Sequence, residues 1–180
     1  MDVVILCGGL GTRVQSISED NPKSLIKIKN NPFINIILDH FQKNLEIGKF
    51  ILAAGYRGDK FFDQDFKKNN IKIVIEKTPL GTAGAVLNCL EFIDSDWFFV
   101  VNGDSMILAD LKAFLKKVFE SKNMSGILLR KVKDGKRFGS VSVSNERVID
   151  FQEKIDSSHN IVNAGIYLFN KSYLETKNFP

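Results

Sequence analysis

Short apolar runs rich in β-branched residues alternate with segments of helical period along the first two thirds of the chain. The runs are Val3–Cys7, Phe50–Ala54, Ile71–Ile75 and Trp97–Val101, each of strand length and bounded by turn residues. Between them, Ile34, Ile37, Leu38, Phe41 and Leu45 recur at the spacing of one helix face. Ala83, Val86, Leu87, Leu90 and Ile93 do the same, as do Leu111, Leu115, Val118 and Phe119. Strand and helix in alternation predict βαβ units. The fold class expected is therefore α/β, a doubly wound, Rossmann-like, mostly parallel sheet with helices on both faces.

From about Met124 the pattern changes to strand-like pieces without long helices: "GILLRKV", "FGSVSVS", "VIDFQEK" and "IVNAGIYLF". They predict an antiparallel or mixed edge that completes the sheet. No internal repeat, low-complexity tract or Pro/Gly/Ser-rich linker divides the 180 residues, so a single domain over 1–180 is expected. That length suffices for a core that buries roughly 70% of the unfolded surface.

In an open α/β sheet the ligand crevice lies beyond the carboxyl ends of the strands. Here those ends read "GGLGTR", "GYRGD", "EKTPLGTAG" and "NGD". Glycines at 8, 9 and 11 let the backbone turn and bring its N–H groups close to phosphate oxygens. Tight strand-to-helix turns also use glycine for geometry alone, so the loop gains meaning only with its neighbours. Arg13 and Lys23 are those neighbours: a two-pronged guanidinium and a compact ammonium that could fold over a triphosphate. The loop has no G-x-x-x-x-G-K-[ST] run and no G-x-G-x-x-G opening a helix, which disfavours a P-loop hydrolase and a dinucleotide-dependent dehydrogenase.

The remaining composition narrows the picture modestly. With 25 Lys plus Arg against 21 Asp plus Glu, the net charge of +4 is interleaved along the chain and selects neither nucleic acid nor small anion. Cys7 and Cys89 form no disulfide or zinc framework. No apolar run approaches the roughly 18 residues of a membrane span, and the chain enters a strand at once. A soluble, cytoplasmic protein with no membrane or nucleic-acid partner is expected.

"GGLGTR" followed by "PKSLIKI" resembles the signature of the sugar 1-phosphate nucleotidylyltransferases. "EKTPLGTAGAV", "NGD" and the pair "FQEK" with "NAGIYLF" match the same family in the same order, from about Met1 to about Phe169. The resemblance implies the nucleotide-diphospho-sugar transferase type of fold, and an attack by a sugar 1-phosphate on the α-phosphorus of a nucleoside triphosphate with loss of pyrophosphate. It implies Mg²⁺ as cofactor, with Asp104 as a ligand, where an Asp after a strand would otherwise be read as a helix cap. Arg13, Lys23 and Asp104 are thereby the catalytic candidates. Leu6, Gly8, Gly9, Gly11, Thr12, Glu76, Gly81 and Thr82 are implied on the nucleotide side. Gly139, Glu153, Lys154 and Asn163 are implied on the sugar-phosphate side, Glu153 accepting from sugar hydroxyls and Lys154 holding the phosphate. A homodimer is compatible with the family.

Glu76 carries the base preference. Where uridylyl- and thymidylyltransferases of the family commonly have Gln, an ionised Glu offers acceptors only, which suits the adjacent N1–H and N2 amine donors of guanine. GTP is thus expected, with UTP as the alternative. The chain as a whole is most similar to the guanylyltransferases that use D-glycero-D-manno-heptose 1-phosphate in bacterial surface-polysaccharide pathways, with mannose 1-phosphate as the near alternative sugar. A nucleotide- or sugar-phosphate-binding module without turnover is the alternative outside enzymes. Family members carry a further segment after "NAGIYLF", with a second metal-binding Asp; the sequence ends at Pro180, so no second ligand is assigned and that segment is expected to be lacking. Tyr56 and Arg57 are candidates for the sugar side of the crevice, and His40 and His159 are expected in structural or solvent roles.

Overall fold

Four apolar runs become the parallel strands of one sheet because every second residue finds a different helix layer to bury against. The computed structural model describes residues 1–9, 21–66, 70–133, 140–152 and 160–177. In chain order they form β1 (Asp2–Leu6), a short ribbon of β2 (Lys27–Ile28) and β3 (Asn31–Pro32), α1 (Phe33–Asn44), β4 (Phe50–Ala54), β5 (Ile71–Ile75), α2 (Gly81–Cys89), β6 (Trp97–Asn102) and α3 (Leu111–Glu120). There follow β7 (Ser125–Lys131), β8 (Ser140–Ser144), β9 (Arg147–Gln152), β10 (Ile161–Asn170) and α4 (Lys171–Glu175).

Strands pair in the order β5-β4-β1-β6-β10-β8-β9, with β7 on β10. The first four are mutually parallel, and β10 lies antiparallel to β6, β7 and β8. This is the mostly parallel sheet with an antiparallel edge that the periodicity predicted. Val3, Ile5, Leu52, Phe99 and Val101 face α1 and α3, packed on Ile34, Leu38, Phe41, Leu111 and Val118. Val4, Ile51, Ala53, Phe98 and Val100 face the opposite layer, on Ala85, Val86 and Cys89 of α2 and Leu174 of α4. The sheet is thus wound on both faces, as expected. The ribbon β2–β3 and the short α4 were not foreseen in the sequence.

Buried Asp2 is tied down at the amino-terminal edge: its Oδ2 accepts from the backbone N–H of Asp94 at 2.7 Å and of Ser95 at 3.2 Å. The acidic groups left for chemistry lie at the other edge. Among the described residues, no helix is long and apolar enough to cross a membrane.

Candidate active site

The end of β1 is gripped from both sides, and glycines make the grip possible. The Gly103 N–H donates to the Leu6 carbonyl at 2.9 Å, and a Cβ on Gly103 would stand 2.7 Å from that same oxygen. On the other flank, a Cβ on Gly55 would stand 2.7 Å from the Gly8 carbonyl oxygen and 2.9 Å from its Cα. No side chain fits at either place without moving backbone. The two described glycines of the first loop then differ in purpose. Gly8 is packed, since its Cβ would come within 3.2 Å of Glu76 Oε1, whereas Gly9 is exposed and has nothing within 4 Å of the corresponding position. Gly9 is therefore the residue whose backbone a ligand can approach. Leu6 is half-buried at the end of β1; Gly11, Thr12 and Arg13 lie outside the described residues.

Glu76 follows β5 directly, and its N–H donates to the Ala54 carbonyl at 2.8 Å. Its Oε2 accepts from the Leu80 N–H at 3.3 Å, which closes the "EKTPL" turn, while Oε1 lies on the Gly8 side. Gly81 opens α2 with φ of +70°, a conformation that favours glycine. Exposed Thr82 follows it. α2 begins without a side-chain cap, so its first N–H groups, at the positive end of the helix dipole, remain available to an anion. Glu76, Gly81 and Thr82 thus share the edge occupied by Gly8 and Gly9.

Asp104 stands in the turn after β6 and is half exposed. Asp110, and not Asp104, caps α3, its Oδ1 accepting from the Ala113 N–H at 2.9 Å, so the Asp104 carboxylate is not consumed by a helix. The Lys23 ammonium lies 3.5 Å from Asp104 Oδ2, and the Ser105 hydroxyl donates to Oδ1 at 3.1 Å. The structure therefore brings together Lys23 and Asp104, two of the three catalytic candidates. Cys7 lies buried near them; burial pushes its thiol up to about 12, a contact with Ser24 opposes the shift, and the Asp104 charge adds to it. Its sulfur stays protonated and unreactive at neutral pH.

Among the described residues no group of three His, Cys, Asp or Glu side chains could enclose a metal ion. Mg²⁺ does not need one: it is commonly held by one or two carboxylates, with water and substrate phosphates completing its shell. A half-exposed carboxylate in a turn at the crevice fits that mode, and the described residues offer no structural zinc site.

Asn163, expected on the sugar side, sits on β10 with its carboxamide already bonded: Oδ1 accepts from the Gly165 N–H at 2.8 Å, and Nδ2 donates to the Tyr167 hydroxyl at 2.6 Å. Gly139, Glu153, Lys154 and His159 lie outside the described residues. Tyr56 is exposed after β4, with the guanidinium of Arg57 5.6 Å from its ring centroid and Nε donating to its hydroxyl at 3.3 Å. His40 belongs to α1, its Nδ1 3.4 Å from the Asn44 amide, and burial lowers its pKa. Sequence reasoning placed the "GYRGD" and "NGD" loops at this edge but gave no separate role to Gly55, Asn102 or Gly103, and it did not single out Tyr167. For the two glycines, their position within two residues of a predicted strand end was the available signal.

A model of the nucleotidyl transferase family matches residues 2–178. The chain belongs to the nucleotidyl transferase family. This nucleotidyl transferase is 38% identical over 175 residues to the D-glycero-alpha-D-manno-heptose 1-phosphate guanylyltransferase of Campylobacter jejuni, covering 95% of the chain and 76% of the relative. The enzyme of the same name from Aneurinibacillus thermoaerophilus is 32% identical over 178 residues, covering 97% and 77%. Among solved structures, HddC from Yersinia pseudotuberculosis complexed with GMP-PN superposes with a TM-score of 0.86 at 32% identity, over 99% of this chain and 80% of that one. The fold expected from the resemblance is thereby borne out.

Proposed function

We propose that this nucleotidyl transferase transfers GMP from GTP to D-glycero-α-D-manno-heptose 1-phosphate and releases pyrophosphate. The observation that carries the choice of base is the Glu76 carboxylate, an acceptor-only group set against Gly8 of the glycine loop. One carboxylate oxygen accepts from the Leu80 N–H, and in this reading the other would accept from the donors of a guanine edge. The names of the heptose 1-phosphate guanylyltransferase relatives support the sugar. GMP-PN in the HddC complex supports a guanine nucleotide.

In the reaction an oxygen of the sugar phosphate forms a bond to the α-phosphorus of GTP, and the bond from that phosphorus to the bridging oxygen breaks. The electron pair leaves with pyrophosphate. Both reactants are polyanions, and a pair of like unit charges at 4 Å costs about 4 kcal/mol at an effective dielectric of 20. Fixed positive charge and in-line positioning are what the protein must supply. Lys23 would provide one cation, Arg13 a second, and the open N–H groups of Gly9 and α2 would orient phosphate oxygens. Asp104 would hold Mg²⁺, which when bound supplies charge neutralisation at the phosphates. On the acceptor side Glu153 would take hydrogen bonds from sugar hydroxyls and Lys154 would hold the sugar phosphate, with Gly139 and Asn163 beside them. The free thiols Cys7 and Cys89, both buried, accord with a reducing, cytoplasmic setting, and a homodimer serving surface-polysaccharide synthesis belongs to the same proposal.

The test is pyrophosphate release with Mg²⁺ from each of the four nucleoside triphosphates, paired with heptose 1-phosphate or mannose 1-phosphate. Release with GTP and the heptose is expected. Preferred release with UTP would overturn the base assignment, preferred release with mannose 1-phosphate the sugar, and silence in all pairings the enzymatic reading.

A further inference from the structure

The segment "IVNAGIYLFN" forms β10, whose carboxyl half runs antiparallel to β6 with Ile166 opposite Val101 and Asn170 opposite Trp97. Asn163 and Ala164 therefore extend past the carboxyl end of β6, towards the edge of Gly103 and Asp104. There the strand is irregular: its register on β7 shifts between Asn163 and Tyr167, and Gly165 has φ of +73°. A Cβ on Gly165 would stand 2.7 Å from Asn102 Nδ2, and the positive φ further favours glycine at this point.

Residues four apart in a regular strand share a face but stand about 13 Å from each other. The bulge and the length of the tyrosine side chain close that gap, and Asn163 Nδ2 meets the Tyr167 hydroxyl at 2.6 Å. Tyr167 cannot follow Asn163 freely. Its ring stacks on Phe169 at 6.2 Å between centroids and 14° between planes. It also walls an apolar cavity of about 260 Å³ with Thr82, Val86, Val100 and Leu174. Thr82, which lines the same cavity, belongs to the loop read as nucleotide-binding. The tyrosine is thus a fixed post, and the carboxamide is what it fixes.

A carboxamide has two N–H donors and an oxygen with two lone pairs. The bonds to Tyr167 and Gly165 use one N–H and one lone pair, which leaves one of each for a ligand in a set orientation. We propose that Tyr167 is a positioning residue for the sugar 1-phosphate, acting through Asn163. This rests on the reading of Asn163 as a sugar-side contact. Without the hydroxyl, the carboxamide must lose rotational freedom each time the sugar binds.

The experiment compares wild type, Tyr167→Phe, Asn163→Ala and the double variant by pyrophosphate release, varying heptose 1-phosphate and GTP in turn, with the melting temperature alongside. Tyr167→Phe is expected to raise KM for the sugar phosphate about 3- to 10-fold, the scale of one net hydrogen bond. KM for GTP should stay within about twofold, and the substitution should add nothing in the Asn163→Ala background. Equal changes in both KM values, no change in either, or independent multiplication of the two effects would overturn the proposal. Should wild type release no pyrophosphate, the functional reading itself fails, and calorimetric binding of heptose 1-phosphate decides separately: a 3- to 10-fold weakening in Tyr167→Phe supports the positioning role, and equal or absent binding overturns it.

Discussion

Replacing Glu76 by Gln changes one oxygen for an amine and leaves the shape intact, which makes it a clean probe of base selection. In the protein one carboxylate oxygen accepts from the Leu80 N–H at 3.3 Å and the other lies towards Gly8. Glutamine has only one acceptor end, and that end must go to Leu80, since an amine there would meet another donor. The amine is then left towards the base. Guanine offers N1–H and an N2 amine, so donor meets donor where a carboxylate had accepted. Hydrogen bonds to charged groups are worth about 1.5–3 kcal/mol, so kcat/KM for GTP should fall about 10- to 100-fold. UTP carries carbonyl acceptors that an amide can serve, and its kcat/KM should hold or rise. The assay is kcat/KM for GTP and UTP at fixed sugar phosphate, with the melting temperature as a control. A GTP-to-UTP ratio within about twofold of wild type, in a variant that melts normally, would refute the reasoning.

Three further outcomes are expected. Gly55→Ala forces a methyl to 2.7 Å from the Gly8 carbonyl oxygen and should cost about 1–3 kcal/mol, the scale of overpacking, whereas Gly9→Ala has open space around its Cβ and should stay within about 0.5 kcal/mol while weakening nucleotide binding; urea denaturation and GTP titration of both variants check the contrast. Asp104→Asn should abolish turnover but leave the melting temperature nearly unchanged, because a half-exposed carboxylate paired with Lys23 at 3.5 Å contributes at most about 1 kcal/mol; activity retained in a folded variant would remove Asp104 from the site. Burial raises the thiols of Cys7 and Cys89 from 9.0 to about 12, so between those values the unfolded chain releases protons that the folded chain keeps, and stability falls as pH rises through that window; the urea midpoint should decline less steeply above pH 9 in Cys7→Ala/Cys89→Ala, and an identical slope would refute the assignment.

How far the sequence reaches can be judged from particular elements. Phe50–Ala54 and Ile71–Ile75 were legible to the residue, and the two other parallel strands to within one: the three inner strands because burial on both faces makes them continuous apolar runs, and the edge strand Ile71–Ile75 because its β-branched residues are bounded by polar turns. The three long helices were legible as elements from their apolar spacing, but the second buries Ala85, Val86 and Cys89 and exposes Ala83, and Phe119 of the third is exposed. Lys23, Glu76, Gly81 and Asp104 were legible as candidates because each stands in a short motif at the end of a strand or loop. The ribbon β2–β3 was not, since two-residue strands have no period to read. Nor was α4, whose single turn is too short for one and which gains its place by burying Leu174 against the second core.

Other features were decided only by the tertiary structure. That Gly55 and Gly103 must be glycine depends on which strands flank β1 and at what register. That Glu76 lies against Gly8, that Asp110 takes the cap and leaves Asp104 exposed, and that Asn163 is held by Tyr167 across a bulge all depend on strand order and on side-chain reach. Propensity and periodicity act between residues near in sequence, so the chain by itself determined its elements and the loops that carry chemistry. The approach of those loops to one another is a property of the closed sheet, in which residues far apart in sequence meet only after every strand has taken its place.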